Sequence, residues 1–128
     1  MADAKRLILC IDDDPDVLSV LQLVLEAEGY RFAGAATAEE GLRVCNSIRP
    51  DLIIVDLMME EVDAGTSFVK DVTLLGNTAP VFLLSSVGDN LSSTVDYASL
   101  GFAGVFQKPV MKQQLLAVIK SKLADLTL

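Results

Sequence analysis

The sequence predicts an α/β domain in which five parallel strands form one sheet covered by helices on both faces. Three observations carry that prediction. Continuous short apolar runs recur at Leu7–Ile11, Leu52–Val55 and Pro80–Leu84, the pattern of strands buried on both sides. Between them lie longer segments whose apolar residues return at helical spacing. The two kinds alternate without a break, and strand–helix–strand units joined by right-handed crossovers build a doubly wound parallel sheet. At 128 residues the chain is expected to be a single domain, 1–128, with a real core and no internal linker or repeat.

The elements follow in order. Leu7-Ile8-Leu9-Cys10-Ile11 is the first strand and runs into Asp12-Asp13-Asp14-Pro15. Asp14 suits an N-cap and Pro15 the first helical position. Val17, Leu18, Val20, Leu21, Val24 and Leu25 then mark a helix that Gly29 stops. Tyr30 to Ala36 is a weaker second strand. Thr37-Ala38-Glu39-Glu40 has capping-box spacing and opens a helix that directs Leu42, Cys45 and Ile48 to the core. Leu52 to Val55 is the third strand, ending at Asp56.

A turn through Glu60 to Gly65 leads to a third helix with Phe68, Val69, Val72 and Leu75 on one side and Gly76 after it. Pro80 to Ser85 is the fourth strand. Leu91 to Leu100 is a helix of poor intrinsic propensity, being rich in Ser and Thr. Ala103 to Phe106 is a brief fifth strand, followed by Lys108-Pro109. A last amphipathic helix, from about Lys112 to Ala124, carries Leu115, Leu116, Ile119 and Leu123 as its stripe.

Composition excludes several functions. A net charge of −8 opposes nucleic-acid binding, because phosphate backbones demand a basic face. No apolar run approaches bilayer length, and Met1-Ala2-Asp3-Ala4-Lys5-Arg6 lacks a signal-peptide layout, so no membrane association and a cytoplasmic location are expected. Cys10 and Cys45 sit inside apolar periodic segments and read as buried, reduced thiols. The absence of histidine removes His-based general base catalysis and the commonest metal ligand.

Parallel strands place their C-terminal ends along one rim. Asp12 and Asp13, Asp56, Ser85 and Ser86, and Lys108 all fall there, and charged side chains do not collect in that way for packing. Two carboxylates about 4 Å apart repel by roughly 4 kcal/mol at an effective dielectric of about 20. A lysine or a divalent cation relieves that repulsion. All-oxygen donors without His or Cys suit Mg2+ (or Mn2+); without a cation the same groups would form a salt-bridged knot of aspartates and lysine. A carboxylate beside such a cation can attack a phosphoryl group and form an acyl phosphate. Asp56, between apolar Val55 and Leu57 on a central strand, is the best nucleophile, and Asp12 and Asp13 are better metal ligands. Lysine and serine would then offset charge on the transferred oxygens.

With Asp12-Asp13 after an apolar strand, Asp56 in Val-Asp-Leu-Met-Met, Ser85 after Pro-Val-Phe-Leu-Leu, and Lys108-Pro109, the whole chain resembles a response-regulator receiver domain, the CheY-like family of two-component signalling. The resemblance implies a (βα)5 flavodoxin-like fold with strand order 2-1-3-4-5. It implies Asp56 as phosphoacceptor, Asp13 as a direct metal ligand, Asp12 acting mainly through water, and the Met58 backbone carbonyl as third protein ligand. Ser85 corresponds to the switch hydroxyl and Lys108 to the phosphate-contacting lysine, with a cis Lys108-Pro109 bond. A sensor histidine kinase or phosphotransfer protein would donate the phosphoryl group, and a downstream effector protein or domain would read the result. Such a chain is not a conventional enzyme, although it catalyses its own phosphorylation and dephosphorylation at Asp56.

Three departures stand against the family pattern, of which Gln107 in place of the common Thr beside the lysine has no evident consequence. Val105 occupies the position where an aromatic is usual, and Phe106 should point to the opposite face because strand side chains alternate. The loop after Met59 reads Glu60-Glu61-Val62-Asp63-Ala64-Gly65, without the usual proline and with its glycine shifted. These leave a second reading, a pseudo-receiver that docks partners without phosphorylation. A third is a haloacid-dehalogenase-type phosphatase using Asp12-Asp13-Asp14, with its nucleophile on the first strand. If the receiver reading holds, the helix at Leu91–Leu100 is the element expected to respond to phosphorylation, given its low local propensity.

Overall fold

A computed structural model of the chain describes residues 6–56, 70–76, 79–85, 102–107 and 111–126. β1 (Leu7–Ile11), β2 (Arg31–Ala35), β3 (Leu52–Asp56), β4 (Val81–Ser85) and β5 (Gly104–Gln107) form one parallel sheet in the order β2-β1-β3-β4-β5. This is the order expected from the resemblance. The helices are α1 (Pro15–Ala27), α2 (Ala38–Ile48), a stretch at 70–74 (α3) and α4 (Lys112–Leu126). Phe68, Val69, the 60–65 loop and the segment 91–100 lie outside the described residues.

Alternation along the strands divides the core into two layers. Ile8, Cys10, Leu52, Ile54, Phe82, Leu84 and Phe106 face one way and pack on Leu21 and Leu25 of α1 and Leu115, Ile119 and Leu123 of α4. Leu9, Ile11, Ile53, Val55, Val81 and Leu83 face the other way, onto Cys45 of α2 and Val72 of α3. Central strands buried on both faces explain why β1 and β3 read as unbroken apolar runs rather than alternating ones.

Three residues that periodicity places on the apolar faces of their helices are exposed instead. Val20 is 58% exposed, Ile48 51% and Leu75 37%. Val20 stands about 100° around α1 from Leu21, off the line through Leu21 and Leu25 that meets the sheet. Ile48 is the last residue of α2, where the chain turns away through Arg49 in the left-handed region (φ 47°). Leu75 follows the last turn of α3, and Gly76 ends it at φ 81°, a conformation glycine adopts without steric cost.

The expected caps are present. The Asp14 side chain accepts from the Asp16 N–H at 2.9 Å, with Pro15 in the first turn. Thr37 Oγ1 accepts from the Glu40 N–H at 3.1 Å, while Glu40 reaches back to the Ala36 N–H at 2.8 Å, one residue earlier than a capping box requires. At the opposite edge of the sheet, Asp51 ties β3 to β1. Its Oδ2 accepts from the Leu7 N–H at 2.8 Å, and its own N–H donates to the Leu7 carbonyl at 2.8 Å.

Both cysteines are free and buried. They cannot pair, since the sheet stands between Cys10 in one layer and Cys45 in the other. Burial pushes the Cys45 thiol up from 9.0 to about 11; it pushes Cys10 higher still, with the Asp12 charge adding to it. A raised pKa in the fold means that the protonated form is favoured there. The Cys45 contribution is therefore complete below pH 9.0, the ordinary thiol value, and is lost as pH rises towards about 11. A thiol reagent at about pH 8 is expected to modify neither cysteine in the native protein and both in urea. Rapid labelling of the native chain would refute that burial.

Candidate functional site

The β1–β3 register ends with Ile11 opposite Val55, so Asp12 and Asp56 come next, side by side at the rim. Asp56 is the last residue of β3 and pairs with Leu84, while the Asp12 N–H continues the β1–β2 ladder to the Ala35 carbonyl at 3.0 Å. By strand parity both follow Cys10 and Ile54 on the α1/α4 face. They are also deeply buried for carboxylates: Asp12 is 0% and Asp56 5% exposed, against an exposed Asp13.

One carboxylate oxygen from each of Asp12, Asp13 and Asp56 lies within 4.8 Å of the others. At that spacing the buried pair repels by about 3–4 kcal/mol at an effective dielectric of about 20. Positive charge offsets such repulsion, and a small divalent cation or the lysine expected at this rim, Lys108, would supply it. Among the described residues the donor set is wholly oxygen, and it fits Mg2+ or Mn2+. Asp12 is held in place: its Oδ1 accepts from the Asp14 N–H at 2.9 Å, closing an Asx turn into the α1 cap.

Of the residues expected at the site, Asp12, Asp13 and Asp56 are brought together. Ser85 closes β4, one place past the partner of Asp56, and pairs with Gln107, which ends β5. The Ser85 hydroxyl, Met58, Lys108 and Pro109 lie outside the described residues and atoms. Next to Gln107, Phe106 is buried and stacks on Phe82 with ring centroids 5.2 Å apart, whereas Val105 is 37% exposed on the other face. The alternation expected for this pair therefore holds. Sequence reasoning identified Asp14 as a cap and missed its bond to Asp12; an aspartate two residues before another amide at a strand end was the available signal.

Comparison with known proteins agrees with the fold. Residues 8–120 match the family described as the response regulator receiver domain. The transcriptional regulatory protein GlrR of Escherichia coli (strain K12) is 35% identical over 91% of this chain and 26% of its own length. The transcriptional regulatory protein PrrA of Mycobacterium tuberculosis (strain ATCC 25618 / H37Rv) is 33% identical over 91% of this chain and 49% of its own. The chain thus spans about a quarter to a half of these curated relatives. Among solved structures, a CheY-like receiver domain protein from Methanospirillum hungatei JF-1 superposes with a TM-score of 0.84 at 29% identity, covering 95% of this chain and 96% of that one. The chemotaxis protein CheY4 of Vibrio cholerae gives 0.81 at 26% identity, over 92% and 98%.

Proposed function

The chain belongs to the response regulator receiver domain family of two-component signalling, and from that premise we propose that Asp56 accepts a phosphoryl group from a histidine kinase or phosphotransfer protein. The observation that carries the proposal is the convergence of buried Asp56 with Asp12 and Asp13 within 4.8 Å at the C-terminal rim of the sheet. Strand C-terminal ends are where open α/β sheets place their ligands.

In this reading an Asp56 carboxylate oxygen attacks phosphorus, the bond to the donor nitrogen breaks, and its electron pair stays on the donor. Asp56 is suited to the task because β3 is central and buried, which fixes the carboxylate and keeps water from its base. Asp13 and the Asp56 carboxylate would hold the cation directly, Asp12 through water, and the Met58 carbonyl would complete the protein ligands. Bound Mg2+ would neutralise charge on the phosphoryl oxygens. Lys108 and Ser85 are proposed to contact the transferred oxygens, and their new bonds to bias the surface that an effector reads. The relatives whose names mark them as transcriptional regulators support an effector of that kind.

Incubation with a small-molecule phosphodonor and Mg2+, followed by peptide mass spectrometry, tests the proposal. One phosphoryl adduct on Asp56, absent from Asp56→Ala, is expected. An adduct on Asp12 would indicate the phosphatase chemistry, and no adduct a docking module.

A further inference from the structure

We propose that Asp14 is a positioning residue for the carboxylate cluster, acting through the cap of α1; this rests on the reading of Asp12, Asp13 and Asp56 as a cation site. Four hydrogen bonds meet at this residue. Its N–H donates to Asp12 Oδ1 at 2.9 Å, and its side chain accepts from the Asp16 N–H at 2.9 Å. Its carbonyl also accepts from the Val17 and Leu18 N–H groups at 3.1 and 3.3 Å. The backbone of Asp14 is extended (φ −93°, ψ 110°) where Pro15 turns the chain into the helix.

The consequence is mechanical. The bond that orients Asp12 comes from a backbone amide, and an amide points where its peptide plane is held. That plane is held by the cap on one side and by β1 on the other. Asp12 is fully buried, so it cannot reorient into solvent to compensate. Asp14 itself is exposed and stands outside the converging group of Asp12, Asp13 and Asp56; its effect passes through Asp12. Hydrogen-bond partners behind metal ligands typically change affinity by about 10–100-fold when lost. An indirect partner belongs at the low end of that range.

The test is Mn2+ binding to the intact chain, read from the electron paramagnetic resonance signal of free Mn2+. Asp14→Ala, which loses the cap, is expected to weaken binding about tenfold. Asp14→Asn keeps a capping oxygen and removes only an exposed charge, and should stay within about threefold of the wild type. Leu25→Val supplies the stability control, since it loosens the far end of the same helix at a buried position. It should lower the urea midpoint and leave Mn2+ affinity unchanged. The inference is overturned if Asp14→Ala binds like the wild type, if Asp14→Asn weakens binding as much as Asp14→Ala, or if Leu25→Val does so. A wild-type chain that binds no Mn2+ removes the cation reading itself, and the role of Asp14 with it.

Discussion

Asp56→Asn is expected to abolish the phosphoryl adduct and, in EDTA, to make the protein more stable than the wild type by about 1–2 kcal/mol. The two effects share one cause. Asn lacks the anionic oxygen that attacks phosphorus, and it removes one of three carboxylates whose oxygens lie within 4.8 Å. The pairwise repulsion in that cluster is about 3–4 kcal/mol at an effective dielectric of about 20. In the unfolded chain Asp56 is remote from Asp12 and Asp13, so the repulsion belongs almost entirely to the folded state. Part of the gain is offset because an amide fits less well among groups arranged for a carboxylate. Saturating Mg2+ should reverse the ranking, adding about 2.7 kcal/mol to the wild type at a hundred times its dissociation constant and far less to the variant. Urea titrations of both proteins with EDTA and with Mg2+ measure this. Equal stability in EDTA would refute the account of a strained, cation-seeking cluster.

The second large effect lies two residues earlier. Ile54→Ala should cost about 3–4 kcal/mol, a large part of the roughly 5–15 kcal/mol that holds a domain of this kind together. Ile54 is fully buried, sits between Cys10 and Phe82 in register, and belongs to the layer covered by α1 and α4. Removing its side chain leaves a hole that a parallel strand hydrogen-bonded on both sides cannot collapse around. Ile48→Ala, which trims a residue 51% exposed, should cost well under about 1 kcal/mol. Similar urea midpoints for the two variants would show that the sheet centre is not the rigid platform that Asp56 needs.

These two isoleucines also show where sequence reasoning succeeded and where it stopped. A run such as Leu52-Ile53-Ile54-Val55 is apolar without interruption, and only a strand covered on both faces has use for that. Its place in the core was therefore legible residue by residue. Ile48 lies on the same helical stripe as Cys45, and periodicity gave both the same weight. Burial separated them because a helix of 11 residues ends where the sheet no longer faces it. Val20 failed in the same way, at the edge of its stripe rather than at the end. The caps at Asp14 and Thr37 were legible because their chemistry is local. The bond from Asp14 to Asp12 is local too, but it depends on a backbone direction that residue types do not specify.

The amino-acid order by itself determined the five strands, the helices after β1, β2, β3 and β5, and the acids at the ends of β1 and β3. It also determined, through the residue types available, that any cation held there meets oxygen donors alone. It did not determine that Asp12 and Asp56 lie side by side. That follows from the pairing of β1 with β3, two strands separated in the chain by the whole β2–α2 passage. Nor could it rank the three aspartates by burial, since identical side chains become two buried carboxylates and one exposed one only when the strands beneath them are packed on both faces. Strand formation is a local preference that neighbouring residues express; strand order and burial are collective, settled by which apolar faces cover one another.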